Sequence, residues 1–254
     1  MFEAARLQEL ASRIEALLRS RSKPVALGFL KEKLDGALEA DKLDVKVLRL
    51  CQMITLSRTH GWIIQADKNT LAYTCSYVAG LIDELPPELA NEYAKYWFRN
   101  VEEGLVKLKE LYRVPKLRHS VVITAPLDKA RFTPNLILWY LNPAQACIAL
   151  SALQWHRYRR FTFTYSGESA CADSIAKCMV THEPSLTVPC FGERRFGHLQ
   201  DDELVLSLPP EALADMAEGL QQLYMRGVRY PIPYLGVQAD TIIGLPKKYR
   251  RFYE

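Results

Sequence analysis

The sequence NLILWYLNPAQ, at residues 135–145, contains the clearest structural signal of the chain, an apolar strand followed at once by a helix start. Residues 136–141 are all apolar or aromatic, which is typical of a buried strand. Asn142 has the side chain of a helix N-cap, Pro143 suits the first helical position, and Gln145 lies where a capping box needs it. The stretch therefore predicts a core strand that leads into a helix ending near residue 155.

On either side of this stretch, short apolar or alternating segments predict further strands, and segments with helical spacing predict helices between them. The predicted strands are residues 24–30, 120–125, 161–165, 186–189 and 203–208, with a short extended piece at 62–64. The predicted helices are residues 3–20, 44–61, 74–81, 87–97, 100–112, 168–180 and 210–223. Asp44 is expected to cap the second of these helices and Thr74 the third, because short polar side chains are preferred at that position.

Strands and helices alternate unevenly, which favours an α+β fold over a regularly repeated pattern. We therefore expect a mixed sheet with flanking helices. Each half of the chain also contains a strand, a helix and a pair of cysteines, so two related halves packed as one unit are a second way to arrange these elements. Because no segment has the composition of a linker, residues 1–254 are predicted to form a single domain, with a core over about 20–223 and a tail over 226–254.

The composition is that of a globular protein. Apolar residues make up 49% of the 254 residues and charged residues 24%, which is enough for a full core. The longest apolar run is far shorter than the ~20 residues of a membrane-spanning helix, and the first residues resemble neither a secretory signal nor a transit peptide. The sequence thus predicts a soluble, cytoplasmic protein without a membrane partner. Its net charge of +4 is too small to indicate nucleic acid as a partner.

The cysteines are the best candidates for a reactive centre. In a reducing compartment, cysteines serve in the core, in catalysis or in metal binding more often than in disulfides. Four of the six fall in two widely separated pairs, and thiolates are the ligands that hold soft metals and iron–sulfur clusters. These four are Cys51, Cys75, Cys171 and Cys190. Cys147 and Cys178 are predicted to pack in the core, where free cysteine is common.

The sequence PCFGER at residues 189–194 predicts a turn in which Pro and Gly fix an irregular backbone and expose the thiol of Cys190. A glutamate and two arginines follow, and arginine beside sulfur favours the thiolate and orients an anion. A structural interpretation remains open, in which Arg194 pairs with an acidic residue at 201–203. The candidate ligand-binding residues are Glu193, Arg194, Arg195 and Gln145.

Common catalytic and nucleotide-binding motifs are absent from the sequence. There is no Gly-x-Gly-x-x-Gly, no phosphate-binding Gly-Lys-Ser/Thr loop and no Gly-x-Ser-x-Gly, and the five histidines form no zinc-binding spacing. These absences argue against a dinucleotide-dependent enzyme, a nucleoside triphosphatase and the common hydrolases. Whether the protein is an enzyme stays open at this stage.

Several stretches, taken in order, resemble one family, the prokaryotic family known as domain of unknown function 169. The stretches are residues 50–53, 75–81, 142–146, 190–194 and 200–204. The resemblance extends over about residues 20–223 and implies that the cysteines at 51, 75, 171 and 190 belong together as a set. It implies no established activity.

Three functions are compatible with these observations. The first is a cysteine-ligated metal or iron–sulfur protein with a redox or accessory role, in which four thiolates hold a [4Fe–4S] cluster or zinc and a redox or enzyme protein is the partner. The second is a metal-free module or enzyme that binds a carboxylate or phosphate through arginines and helix starts. The third is a protein that docks a partner through the basic, aromatic tail at residues 245–254.

Overall fold

The computed structural model describes residues 2–116, 119–236 and 240–253. The strands are β1 Val25–Leu30, β2 Ile64–Asp67, β3 Val121–Pro126, β4 Leu136–Leu141, β5 Ser185–Thr187 and β6 Leu204–Leu208. The α-helices of the described residues are α1 Phe2–Leu18, α2 Leu50–His60, α3 Tyr73–Val78, α4 Pro87–Trp97, α5 Val101–Glu110, α6 Pro143–Leu153, α7 Lys177–Thr181, α8 Phe191–Gly197, α9 Ala212–Met225 and α10 Lys247–Arg250.

The strands form a six-stranded sheet in the order β2-β3-β1-β4-β6-β5, which confirms the α+β class. All pairings between these strands are antiparallel, and the described residues pair in parallel only at two isolated bridges outside them. The sheet is therefore antiparallel and not mixed as predicted. The alternation of side chains in the sequence predicts a strand but not the direction in which it pairs. Each half of the chain contributes three adjacent strands, with its first strand at the centre, its third next and its second at the edge.

The sheet is covered by helices on both faces. Successive side chains of a strand point to opposite faces, and every residue of β4 is buried. Ile137 and Trp139 therefore belong to the apolar core that includes α1, α6 and α9, whereas Leu138 and Tyr140 belong to the core that includes α2, α3 and α5. Fully burying a large apolar side chain contributes about 1.5–3 kcal/mol, so β4 anchors both helical layers.

The junction between β4 and α6 forms as the sequence predicts. The Asn142 side chain accepts a hydrogen bond from the backbone N–H of Gln145 at 2.8 Å, and the Gln145 side chain accepts one from the backbone N–H of Asn142 at 2.8 Å. The amide nitrogen of Gln145 also donates to the backbone oxygens of Leu18 and Arg19. This side chain thus ties the end of α1 to the start of α6.

The second helix begins later than the sequence predicts. Asp44 does not cap it but ends a short 3₁₀ helix, Ala40–Leu43, in a left-handed conformation with φ of 55°. Leu48 is extended because its backbone N–H donates to Thr70 and its carbonyl accepts from Ala72. The helix starts only after this bridge, at Leu50.

Two further predictions, both within residues 161–181, differ from the structure. The predicted strand at 161–165 does not form, and side chains of the next helix instead bond its polar groups: Lys177 donates to the Thr162 carbonyl, and Asp173 accepts from Thr164. The predicted helix at 168–180 contains a π-helical segment, Ala172–Ala176, before α7. A π turn holds an extra residue, so it shifts the faces on which neighbouring side chains lie.

The tail packs on the body mainly near its start. Tyr230 accepts a hydrogen bond from Asn142 at 3.0 Å, and the Arg226 guanidinium lies 4.4 Å from the centre of the Trp155 ring. Residues 237–239 and 254 of the predicted tail lie outside the described residues. Among the helices of the described ranges, none has the length and apolarity needed to cross a membrane.

Gly219 lies where α9 crosses α6 at close range. A Cβ at this position would stand 2.2 Å from the backbone oxygen of Ala152. Gly219→Ala improves helix propensity by only about 1 kcal/mol, whereas overpacking costs about 1–3 kcal/mol and here meets backbone. We expect a net loss of about 1–2 kcal/mol in the free energy of unfolding, measured by urea denaturation. Gly236→Ala, whose Cβ meets no atom of the described residues within 4 Å, should leave stability nearly unchanged, and an equal loss in both variants would contradict this explanation.

Candidate functional site

A cavity of about 800 Å³ opens on the face of the sheet that α2 and α3 cover. Its lining includes four cysteines, which we use to define the cysteine cavity: Cys51, Cys75, Cys171 and Cys190. They come from separate parts of the chain, α2, α3, the start of the π-helical segment and the start of α8. The fold thus brings the four sequence-predicted thiols to one place.

The two remaining cysteines lie elsewhere. Cys178 is buried in the apolar core under the sheet, as predicted, and does not line the cavity. The π-helical segment accounts for the separation, since Cys171 and Cys178, seven residues apart, would otherwise share a helical face. The prediction for Cys147 was wrong, because its side chain is exposed on α6.

Cys51 and Cys75 lie near the starts of two helices, α2 and α3. Cys51 is the second residue of α2, and Cys75 is the third residue of α3, which starts at Tyr73 rather than after Thr74. The first backbone N–H of α2, on Leu50, donates to the sulfur of Cys75 at 3.5 Å. A helix N-terminus stabilises negative charge, so this contact favours Cys75 as a thiolate.

Cys190 is the N-cap of α8, and the predicted exposed turn is therefore wrong. Its sulfur accepts a hydrogen bond from the backbone N–H of Glu193 at 3.4 Å, and its side chain is buried. The helix α8 packs closely on α2: a Cβ at Gly197 would stand 3.3 Å from the Cβ of Cys51. Thr55 fixes the contact by donating to the carbonyl of Gly197 at 2.5 Å. This packing holds Cys51 and Cys190 in one wall.

The four thiols influence one another electrostatically. Burial raises the pKa of all four, to about 11 for Cys190. Negative charge on Cys75 or Cys190 raises the pKa of Cys51 further, as it does for Cys171. Without a cation in the cavity the sulfurs are therefore neutral thiols near pH 7. A bound metal centre would change this protonation state, since a coordinated thiol is deprotonated.

Of the other predicted residues, Glu193 and Arg195 line the cavity and two do not. Arg194 does not line the cavity and donates to the Gln200 carbonyl at 2.7 Å. It also lies 3.7 Å from a carboxylate oxygen of Asp201, so the interpretation in which Arg194 pairs with an acidic residue at 201–203 is the one the structure has. Gln145 caps α6, and its side-chain polar atoms bond backbone groups there. Neither side chain is in a position to contact a ligand in this cavity.

Glu193 is the one buried carboxyl group of the described cavity lining. One of its oxygens, Oε2, is buried without a hydrogen-bond partner in the described part of the chain. Burial raises its pKa from 4.5 to about 7. An unpaired polar atom in such a position is costly unless a ligand or water bonds it.

The raised pKa of Glu193 predicts a pH-dependent stability of the chain without bound metal. Between about pH 4.5 and 7 the folded chain keeps a proton on Glu193 that the unfolded chain has released. The free energy of unfolding therefore falls as pH rises through this range and stays at its lower value above about pH 7. The loss is of order 3 kcal/mol at most, at about 1.4 kcal/mol per pH unit. Urea denaturation at pH 5 and pH 8 measures it.

Glu193→Gln removes this titration and should flatten the dependence between those two pH values. Glu92→Gln is a suitable control, because Glu92 is exposed and its one ion pair within the described residues is with the exposed Lys95. If Glu193→Gln and wild type lose the same stability between pH 5 and pH 8, the assignment to Glu193 is wrong.

Sequence reasoning missed most of the cavity entrance. Arg49 and Lys68 line the cavity together with several aromatic side chains, which are Tyr73, Tyr93, Tyr96, Trp97, Phe191 and Phe196. The one available signal was the position of Arg49, directly before the helix start that carries Cys51. Arginine and tyrosine on unrelated elements show no spacing pattern, so their convergence is visible only in three dimensions.

The present arrangement is not that of a single-ion site. Within residues 2–116, 119–236 and 240–253, no group of three or more His, Cys, Asp or Glu side chains is arranged to hold one metal ion. A tetrahedral zinc site requires sulfurs about 2.3 Å from the metal, and therefore within about 4 Å of one another. The four thiols instead line a cavity of about 800 Å³ together with many other side chains.

Comparison with known proteins gives a family and one relative. The profile of the family DUF169, described as an uncharacterised ArCR, matches residues 13–219. An uncharacterised protein of Methanocaldococcus jannaschii is 28% identical over 220 residues, which cover 85% of this chain and 94% of the relative. No solved structure matches the chain.

Proposed function

The chain belongs to the uncharacterised DUF169 family, and we propose that it binds a thiolate-ligated metal centre, a [4Fe–4S] cluster, in the cysteine cavity for a redox or accessory role. The observation that supports this most is the convergence of the four cysteines. They lie on four separate elements, and the other two cysteines of the chain do not line the cavity. Thiolate sulfur is the donor that iron–sulfur clusters require, and four ligands are the number that a [4Fe–4S] cluster takes.

A cluster suits the arrangement better than a single ion. A zinc ion needs four sulfurs drawn to one point, whereas a cluster is held from its periphery and leaves its ligands farther apart. The cavity of about 800 Å³ is also far larger than an ion needs. We therefore place zinc second.

The residues around the thiols fit negatively charged sulfur. Cys75 and Cys190 each accept a backbone N–H at a helix start, and hydrogen bonds to ligand sulfurs are among the factors that set cluster potentials. The positive charge of Arg49 lowers the pKa of Cys75 and of Cys51, against the raising effect of burial. When bound, such a cluster supplies one-electron chemistry.

Anaerobic reconstitution tests the proposal. The full chain, purified without metal, is incubated with iron and sulfide or with zinc alone, and excess reagent is then removed. We expect about four iron and four sulfide per chain and a broad sulfur-to-iron absorption band. Retention of one zinc and no iron would replace the cluster with a zinc site. Retention of neither would contradict any thiolate-bound metal.

A second candidate is a metal-free binding module, favoured by the size of the cavity and by its aromatic entrance. Ligand pockets typically measure about 300–1,000 Å³ and combine apolar walls with a few polar groups. In that case the thiols are simply part of the wall, and the reconstituted chain holds no metal. Docking through the tail stays a prediction, which deletion of residues 245–254 and loss of a salt-sensitive complex would test.

A further inference from the structure

The entrance of the cysteine cavity is built differently from its interior. Cys51, Cys75, Cys190 and Glu193 are buried and Cys171 is partly buried, whereas the aromatic side chains at the entrance are more exposed, from 36% for Trp97 to 71% for Tyr96. We call this set the aromatic rim: Tyr73, Tyr96, Trp97, Phe191 and Phe196. Exposed aromatic side chains grouped at one opening mark a binding surface more often than isolated ones do.

The rings of the rim are arranged against each other. The centres of the Trp97 and Phe191 rings are 5.8 Å apart, and those of Tyr96 and Trp97 are 5.1 Å apart, both edge to face. Such pairs hold rings in defined orientations, and a further aromatic ring can add a stacked or edge-to-face contact to the exposed ones. The rim therefore favours a planar ligand.

Three cations line the same entrance, and they have no anionic partner in the described part of the chain. Arg49, Lys68 and Arg195 all line the cavity, and none of them forms an ion pair with a described carboxylate. The Arg49 guanidinium lies 4.0 Å from the centre of the Phe196 ring. A guanidinium stacked in this way keeps its N–H edges free to bind a carboxylate.

The two acidic side chains of the lining offset only part of the charge of these three cations. Glu168 accepts a hydrogen bond from the backbone N–H of Phe191 at 3.0 Å, and Glu193 is buried in the interior. The entrance therefore has more positive than negative side chains, and it attracts an anion.

We propose that the entrance of the cysteine cavity binds a small organic anion with a planar ring, an aromatic carboxylate. Its ring packs against the aromatic rim, and its carboxylate receives hydrogen bonds from Arg49 and Arg195. The inference goes beyond the proposed metal centre, because the ligand contacts the aromatic rim and the two arginines rather than the thiols, and it holds with or without metal inside.

Isothermal titration calorimetry on the full chain, both metal-free and reconstituted, tests this with three probes. These are 2-naphthoate, the neutral aromatic 2-naphthamide and the non-aromatic cyclohexanecarboxylate. We expect 2-naphthoate to bind at one site per chain, at least tenfold more tightly than either other probe, and less tightly as salt increases. Equal binding of all three probes, or no binding of 2-naphthoate, overturns the proposal.

The double variant Arg49→Gln/Arg195→Gln should weaken 2-naphthoate binding at least tenfold. Arg229→Gln/Arg251→Gln is the matched control, since these arginines also lie near aromatic rings but outside the cavity. Unchanged binding in the first variant, with its fold intact by circular dichroism, overturns the assignment. Iron content is measured separately, so a chain that holds iron but no naphthoate refutes this inference and leaves the metal proposal standing.

Discussion

Cys75→Ser is expected to reduce the iron bound after reconstitution from about four atoms per chain to well below one, and the absorption band should disappear with it. A serine hydroxyl is a hard, weakly acidic ligand, whereas iron–sulfur clusters are held by soft thiolates. The same outcome is expected for single serine substitutions at the other three cysteines of the cavity. Iron and sulfide analysis of each reconstituted variant, with circular dichroism to check folding, measures the effect.

The chain supplies its own controls for these substitutions. Cys147→Ser changes an exposed thiol on α6, and Cys178→Ala changes a buried thiol outside the cavity. Both variants should retain the full iron content. A cavity variant that keeps about four iron atoms, or a control variant that loses them, would show that the cavity is not the site.

Arg58→Met is expected to lower the free energy of unfolding by about 3–5 kcal/mol. Arg58 on α2 donates two hydrogen bonds to Glu203, at 2.7 and 2.9 Å, and both side chains are buried. The guanidinium also lies 4.2 Å from the centre of the Tyr140 ring on β4. Removing it leaves a buried carboxylate without its partner, which is the costly half of a broken pair. Urea denaturation at pH 7 measures the difference.

Arg21→Met is the matched control for this substitution. Arg21 pairs with Asp202, the neighbour of Glu203, but both side chains of this pair are exposed to solvent, at 61% for Arg21 and 44% for Asp202. Exposed pairs contribute about 1 kcal/mol or less. If Arg58→Met is no more destabilising than Arg21→Met, burial is not what makes the Arg58–Glu203 pair important.

The sequence predicted correctly those parts of the fold that depend on residues close together in the chain. The β4–α6 junction was predicted correctly because an apolar run, a cap and a Pro at the first helical position all lie within a few residues. The start of α2 was predicted wrongly because Leu48 pairs with residues near Thr70, a contact between segments far apart in sequence. Strand order and direction depend on such long-range contacts and leave no local pattern.

The candidate site was predictable in its cysteines and not in its surroundings. The four thiols stood out as two separated pairs, the family resemblance implied that they form a set, and they do line one cavity. Residues 190–194 were expected to form a turn, and a turn does not specify which arginine faces inward. In the actual helix α8 each residue is rotated by about 100°, so Arg195 lines the cavity while Arg194 bonds Gln200 outside it.

Native mass spectrometry of the full chain, isolated and kept without oxygen, tests the central claim most directly. If the cysteine cavity holds a [4Fe–4S] cluster, the folded chain should carry about 350 Da more than the denatured chain, the mass of four iron and four sulfide. Cys147→Ser should show the same increment, and Cys75→Ser should not. A folded wild-type chain with no added mass, before and after reconstitution, would contradict the claim.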